Sequence, residues 1–219
     1  MEFADLGRLY GLSTRTCSEK DQKMKIILGS QSPRRREIMD YFSLPFVQIS
    51  SDFDEDAVPY EGHPAKHAML LSQKKAETLA TRYPKDVILT ADTVVSCKGK
   101  LFNKPRDEHE AAQFLRTFSG SWQEVTTGVT VRRGVEVHTY FEETKLLFHT
   151  LTDQQIKKFH SHLYFLDKAG GYAIEKSANL IVSRIEGCYY NVLGLPINTV
   201  QKLLLKLGID LWDFLKPIS

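Results

Sequence analysis

The sequence predicts an α/β protein built on a mixed, twisted sheet with flanking helices. Strand and helix patterns alternate over its first half, as expected of parallel units crossed by helices. Two long strand patterns, Trp122–Arg132 and Val135–Phe148, then follow each other around Arg133-Gly134, which adds an antiparallel meander and excludes a purely parallel sheet. No internal repeat, low-complexity tract or Pro-rich linker divides the chain.

The elements follow in order. Lys25–Gly29 (KIILG) reads as a short buried strand and Gly29–Pro33 (GSQSP) as a tight loop. Ser32 is a good N-cap and Pro33 a good first helical residue, so a short helix should run to about Phe42. Phe46–Ser50 is a second strand, followed by an acidic loop, Ser51–Glu61. Over Pro64–Arg82, Ala68, Leu71, the Lys75 stem, Ala76 and Leu79 recur at helical spacing. Asp86–Cys97, rich in Val and β-branched residues, is a strand, and Lys98-Gly99-Lys100 a hairpin turn. Asp107–Phe118 is a helix, with Asp107 and Glu110 at capping-box spacing, ended by Ser119-Gly120. After the meander, Thr152–Tyr164 is helical with Thr152 as N-cap, and a glycine-containing stretch, Asp167–Glu175, leads to a strand at Leu180–Ile185. Pro196–Leu207 is the last helix, and Asp210–Leu215 carries Trp212 and Phe214.

A chain of 219 residues can bury a sizeable core without disulfides or metals. Hydrophobic residues make up 42% and charged residues 26%, an ordinary globular balance. No apolar run approaches the roughly 20 residues that span a bilayer. With 29 basic and 27 acidic residues the formal charge is +2, so no broad field favours nucleic acid; anion binding must be local. Cys17, Cys97 and Cys188 are scattered, with no C-x-x-C pair, which fits a reducing compartment such as the cytoplasm. Residues 1–24 lack the apolar stretch of a secretory signal. Residues 1–23 are read as an N-terminal extension, and residues 24–219 as one catalytic domain.

Five segments could carry chemistry. In Ser30-Gln31-Ser32-Pro33-Arg34-Arg35-Arg36, a strand, a polar loop and a helix start make a natural phosphate site, or else a basic, solvated helix start. Arg34 and Arg35 precede the apolar stripe of Ile38, Met39 and Phe42 by one turn and should face inward, whereas Arg36 should pair with Asp40 on the solvent side. Asp92 interrupts a β-branched run: it either lies on an edge facing water, or it is buried and needs a metal or cation as partner. Lys104 is held extended by Pro105, one hairpin after Asp92; it is either a cleft cation or an exposed loop lysine. Asp52, Asp54, Glu55 and Asp56 are hard oxygen donors suited to Mg²⁺ or Mn²⁺, or else a solvated acidic loop. Leu166–Tyr172 sets two glycines among charges, either for close approach of a ligand or as a turn. The histidines offer no metal pair, since His160 and His162 diverge on a helix. The Gly-x-Ser-x-Gly, Walker A and Gly-x-Gly-x-x-Gly patterns do not occur, which removes the main support for covalent serine catalysis and dinucleotide binding.

The segments LGSQSPRRREI, the FDED loop, LTADTVV, NKPRD, FSG, LDKAGGYAIE and NVLGLP, in this order, resemble the Maf family of nucleoside triphosphate pyrophosphatases over about residues 25–210. The resemblance implies two lobes around a central cleft, related to the inosine-triphosphate pyrophosphatases. It also implies cleavage between the α and β phosphates of a nucleoside triphosphate, with a divalent cation (Mg²⁺ or Mn²⁺) as cofactor. Asp92 matches the family's proton acceptor, and Ser32, Arg35, Glu55, Lys75 and Lys104 its polar cleft positions. Glu55 and Asp92 are the expected metal ligands, and Arg35 and Lys104 the expected phosphate cations.

Arg34, Thr93 and Glu175 match the places linked to base choice. Arg34 and Thr93 resemble the dTTP/UTP subgroup, whereas Glu175 stands where that subgroup has Gln and is closer to the 7-methyl-GTP subgroup. The expected partner is a nucleoside triphosphate, with neither nucleic acid nor membrane; a homodimer is left open. A nucleotide-responsive regulator of cell division with little turnover is the alternative from another class. The set Arg35, Asp92 and Lys104 favours the enzyme, because a sensor has no need of a placed base.

Overall fold

The computed structural model describes residues 25–162, 164–175 and 178–216. The extension expected over residues 1–23 lies outside the described residues. Seven strands form one mixed sheet: β1 (Ile26–Gly29), β2 (Phe46–Ile49), β3 (Val87–Cys97), β4 (Lys100–Leu101), β5 (Trp122–Arg133), β6 (Glu136–Phe148) and β7 (Val182–Glu186). Their order is β2-β1-β3-β5-β6-β7, with β4 attached to β3. β1 runs parallel to β2 and β3, and every pairing from β3 onward is antiparallel. Among the described residues, six helices flank the sheet: α1 (Pro33–Met39), α2 (Pro64–Arg82), α3 (Glu108–Phe118), α4 (Asp153–His160), α5 (Tyr189–Val192) and α6 (Ile197–Lys206). None of the described helices is long and apolar enough to cross a membrane.

Alternation along the long strands sorts side chains between two faces. On one face, Val87, Leu89 and Ala91 of β3 join Ile26 and Leu28 of β1 and Val129 and Val131 of β5, under Ile38 and Met39 of α1 and Val200, Leu203 and Leu204 of α6. Further along the same face, Val95 and Cys97 of β3 and Val125 of β5 enter a second core with Leu115 and Phe118 of α3, Phe148 of β6 and Ile156 and Phe159 of α4. Thr93 and Thr127 sit between these cores, their hydroxyls 2.9 Å apart. One pair of strands thus carries two lobes, with a polar seam where they meet.

Helix α2 covers the opposite face. Ala76 and Leu79 pack over Ile27 and Ile88, and Ser72 reaches Thr130, oxygen to oxygen 2.8 Å. The helix lies so close to β5 that a Cβ on Gly128 would come within 2.3 Å of the Ala68 backbone. Glycine is required there because any side chain would push the helix off the sheet.

Local chemistry shifts several expected boundaries. The turn between β3 and β4 is Lys98-Gly99, both at positive φ, with Lys100 already in β4. Asp107 caps α3, but Glu110 completes no capping box; its carboxylate binds the Arg106 backbone N–H and guanidinium instead. The reciprocal box forms at α4, between Thr152 and Gln155. That helix ends at His160 rather than near Tyr164, where the chain folds back and Phe165 packs on the His160 ring at 4.2 Å. A 3₁₀ turn, Ala178–Leu180, delays β7 to Val182, and Pro196 caps α6 rather than beginning it. The short helix α5 is unforeseen in the sequence reading; four residues are too few to show a period.

Candidate active site

The sheet itself opens the site. β1 pairs with β3 only from Val87 to Thr90, and β4 pairs with it only at Ser96 and Cys97. Residues 91–94 therefore have no strand partner on that edge among the described residues. The gap lies beyond the carboxyl end of β1, where open α/β sheets place their ligands. A cleft of ≈ 770 Å³ fills it, lined from both lobes.

Asp92 projects to the α2 side of β3 and is 4% exposed. Of the two environments open to it, the structure shows the buried one. Its partner is Lys75, which sits on the sheet-facing stripe of α2 and is itself 6% exposed. Lys75 Nζ lies 2.5 Å from Asp92 Oδ1 and 2.7 Å from Glu55 Oε1. The lysine stem thus packs where an apolar residue would, while its head joins two carboxylates. Burial alone would raise the Glu55 carboxyl; the Lys75 charge and hydrogen bond, with Lys104 and Arg35 behind them, outweigh it and hold Glu55 below the ordinary carboxylate range.

The acidic loop resolves into separate roles. Asp54 caps the 3₁₀ turn Glu55–Ala57, accepting from the Asp56 N–H, and so aims Glu55. Asp52 pairs with Arg82 at 3.3 Å. Only Glu55 of the four binds Lys75.

Arg35 is fixed by three elements. Ser32 caps α1 by accepting from the Arg35 backbone N–H. The guanidinium then donates through Nε to Gly194 O (2.7 Å), through Nη1 to Ser30 Oγ (3.1 Å) and through Nη2 to Thr93 Oγ1 (3.0 Å). Burial pushes its pKa below the ordinary arginine value; Asp92 and Glu55 oppose that shift and Arg34 adds to it. Gly194 has φ +97°, and a Cβ there would lie 3.2 Å from Thr93 Oγ1 and 3.4 Å from Arg35 Nε, so the close approach requires glycine.

Arg34 also turns into the cleft and meets Glu175, Nη1 to Oε1 3.3 Å, across the two lobes. Arg36 pairs outside with Asp40 at 3.8 Å, as its spacing predicts. Lys104 lines the cleft and makes no ion pair among the described residues, leaving its ammonium available to an anion. Every expected site residue (Ser32, Arg34, Arg35, Glu55, Lys75, Asp92, Thr93, Lys104 and Glu175) lines this one cleft.

Four further contributors are not among the expected site residues. Thr127 supports Thr93 and donates to Asn191 O at 3.2 Å. Asn191 is fully buried and binds Val125 O and Thr144. Gly194 anchors Arg35, and Lys168, beside the paired glycines, lines the cleft while paired with Asp167. The segments NVLGLP, which holds Asn191 and Gly194, and LDKAGG, which holds Lys168, were the available signal; Thr127 carried none, because only folding brings β5 under Thr93.

The donor set fits a divalent cation. No group of three or more His, Cys, Asp or Glu that could hold a metal occurs among the described residues. Two carboxylates do converge, Glu55 and Asp92, each within contact of one nitrogen. Mg²⁺ is typically held this way, by one or two carboxylates with substrate phosphates and water completing its shell.

Residues 25–207 match the family model described as Maf-like protein. A protein of Chlamydia caviae named dTTP/UTP pyrophosphatase is 43% identical over 87% of this chain and 98% of its own length. One of the same name from Carboxydothermus hydrogenoformans is 41% identical over 84% of this chain and 100% of its own. The structure of the Staphylococcus aureus Ham1 protein aligns with 84% of this chain and 99% of its own at a TM-score of 0.47 and 12% identity. A polar cleft framed by LGSQSPRRREI, LTADTVV and NKPRD, with the family match spanning nearly all of the described chain, makes this protein a member of the Maf-like family.

Proposed function

We propose that this protein is a nucleoside triphosphate pyrophosphatase that hydrolyses dTTP and UTP to the monophosphate and pyrophosphate. The observation that carries the reading is the Lys75–Asp92–Glu55 cluster, set beside Arg35 and Lys104 in one cleft. The names of the relatives supply the substrate class. Residues 24–219 would form the catalytic unit, and the free Cys97 and Cys188 suit a reducing cytoplasm.

The cleft residues divide the work. Asp92 accepts the proton of a water that attacks the α phosphorus; the new P–O bond forms as the bond to the bridging oxygen of the β phosphate breaks. In the free protein Lys75 holds the Asp92 carboxylate at the cleft. Arg35, rigid in its three hydrogen bonds, and the free Lys104 stabilise the charge that gathers on the departing pyrophosphate. Glu55 and Asp92 would hold a Mg²⁺ or Mn²⁺ ion, which when bound supplies Lewis-acid polarisation of a phosphoryl oxygen. Arg34 offers donors to a carbonyl of thymine or uracil, the Thr93 hydroxyl can donate or accept at the base edge, and Glu175 offers an acceptor to the N3–H.

The Arg34–Glu175 pair favours a second reading. An anionic acceptor suits the N1–H and amino group of a guanine base, so a 7-methyl-GTP-type preference competes with the first. The test is pyrophosphate release from dTTP, UTP, CTP, GTP and 7-methyl-GTP, with Mg²⁺ and with chelator. The proposal expects dTTP and UTP to lead and chelator to stop turnover. Cleavage of 7-methyl-GTP at least tenfold faster than dTTP selects the second reading, and no release from any nucleotide selects a non-catalytic nucleotide-binding role.

A further inference from the structure

The two carboxylates suited to a metal are already joined by a protein cation. Lys75 Nζ contacts Asp92 Oδ1 at 2.5 Å and Glu55 Oε1 at 2.7 Å. The lysine rises from the middle of a 19-residue helix packed on the sheet, and the ammonium is almost shielded from solvent. An ion bridging the two carboxylates would take the position that Nζ holds between them, so the two cations compete for it. Resting on the functional reading above, we propose that Lys75 is a displaceable internal counter-cation that holds the Glu55–Asp92 metal site closed until a nucleoside triphosphate arrives.

The charges around the pair decide the order of events. Two carboxylates, Glu55 and Asp92, face three cations, Lys75, Lys104 and Arg35, so the free cluster already carries an excess of one positive charge. A divalent ion entering alone would add to that excess and would have to eject a buried ammonium from both of its carboxylate partners. A triphosphate reverses the balance. Its oxygens offer the ammonium strong charge-assisted bonds and complete the metal's shell at the same time. Lysine suits this exchange because its compact charge sits on four rotatable carbons, whereas Arg35 is pinned by three bonds and stays in place. Metal and nucleotide should therefore bind together, and Lys75 should end on a phosphate.

The test measures Mn²⁺ binding to the full chain by the loss of the free-ion paramagnetic signal, alone and with a non-hydrolysable α,β-methylene analogue of dTTP. Wild type should bind Mn²⁺ at least tenfold more tightly with the analogue than without it. Lys75→Met, which removes the competing charge, should bind Mn²⁺ at least tenfold more tightly than wild type with no nucleotide present, and Mn²⁺ should raise its melting temperature but not that of wild type. Adding Glu55→Gln to Lys75→Met should abolish that gain, and Lys75→Arg should stay as closed as wild type. The proposal is overturned if folded Lys75→Met binds within threefold of wild type, or if wild type binds Mn²⁺ equally with and without the analogue. Mn²⁺ held by the analogue without protein is subtracted throughout, and Lys75→Gln, which also removes the charge, is read against the same limits if Lys75→Met fails to fold. Wild type that releases pyrophosphate but shows no such coupling defeats this inference alone. Wild type that turns over no nucleotide defeats the functional reading, while the nucleotide-free Lys75→Met measurement still decides the role of Lys75.

Discussion

Replacing Asp92 with Asn separates chemistry from folding at this site. The two side chains have nearly equal volume, and the Asn carbonyl can still accept from Lys75. Removing one partner of a buried ion pair costs about 3–5 kcal/mol when the other is stranded. Here Lys75 keeps Glu55 at 2.7 Å, so the loss should be smaller, about 1–2 kcal/mol. For a chain of 219 residues that lowers Tm by roughly 2–8 °C, well within a typical stability of about 5–15 kcal/mol. The loss of a general base is worth about 10²–10⁴ in rate, or roughly 3–5 kcal/mol of barrier. Asp92→Asn should therefore remain folded and lose at least a hundredfold in kcat. Pyrophosphate release under saturating dTTP and Mg²⁺, beside a thermal melt, measures both. A folded variant within tenfold of the wild-type kcat would falsify the assignment of Asp92 as proton acceptor.

Arg35→Lys keeps the charge but cannot bond Gly194, Ser30 and Thr93 at once, so kcat/KM for dTTP should fall by about 10²-fold, about 3 kcal/mol; full activity would reduce Arg35 to a diffuse field. Glu175→Gln removes the anion opposite Arg34 and should sharpen the preference for dTTP and UTP over guanine nucleotides in a competition assay; an unchanged ranking would take Glu175 out of base choice. Burial lowers the His160 pKa, against the opposing hydrogen bond to Gly171 O and the charge of Glu108. The unfolded chain then binds the proton more readily than the folded one, so His160 should favour folding above its ordinary value of about 6.5 and cost stability as pH falls toward its lowered folded value. A melting profile from pH 8 to 5 should show that decline, and His160→Phe should flatten it. Glu55, held low by Lys75, contributes stability present above the ordinary carboxylate range and lost as pH falls through its lowered value; the acid limb below about pH 4 should weaken in Glu55→Gln.

The sequence by itself determined the periodic and the local. Ser32 and Pro33 start α1 because a cap and a fixed φ act within one turn, and the Val-rich run over Val87–Cys97 is a strand because its neighbours along the chain already favour extension. The exceptional residues, Asp92 in an apolar strand and two arginines above an apolar stripe, were visible as violations of those same local rules. The Maf pattern then named the cleft positions, and the structure lines a single cleft with all of them.

What the sequence left open was settled by contacts between distant segments. The spacing of α2 explains why Lys75 lies on its buried stripe, but only the packing of α2 on β3 brings Nζ to Asp92, and only the Asp54 cap turns Glu55 rather than Asp52 or Asp56 onto it. Glu110 had the spacing of a capping box and turned instead to Arg106, whose backbone N–H and guanidinium both donate to its carboxylate. Thr127, Asn191 and Gly194 support Arg35 and Thr93 from β5 and the segment around α5, at sequence separations where no local propensity acts. The seam that makes the cleft exists because β1 ends at Gly29 while β3 runs on to Cys97, a difference of strand length that becomes a site only once the two are paired.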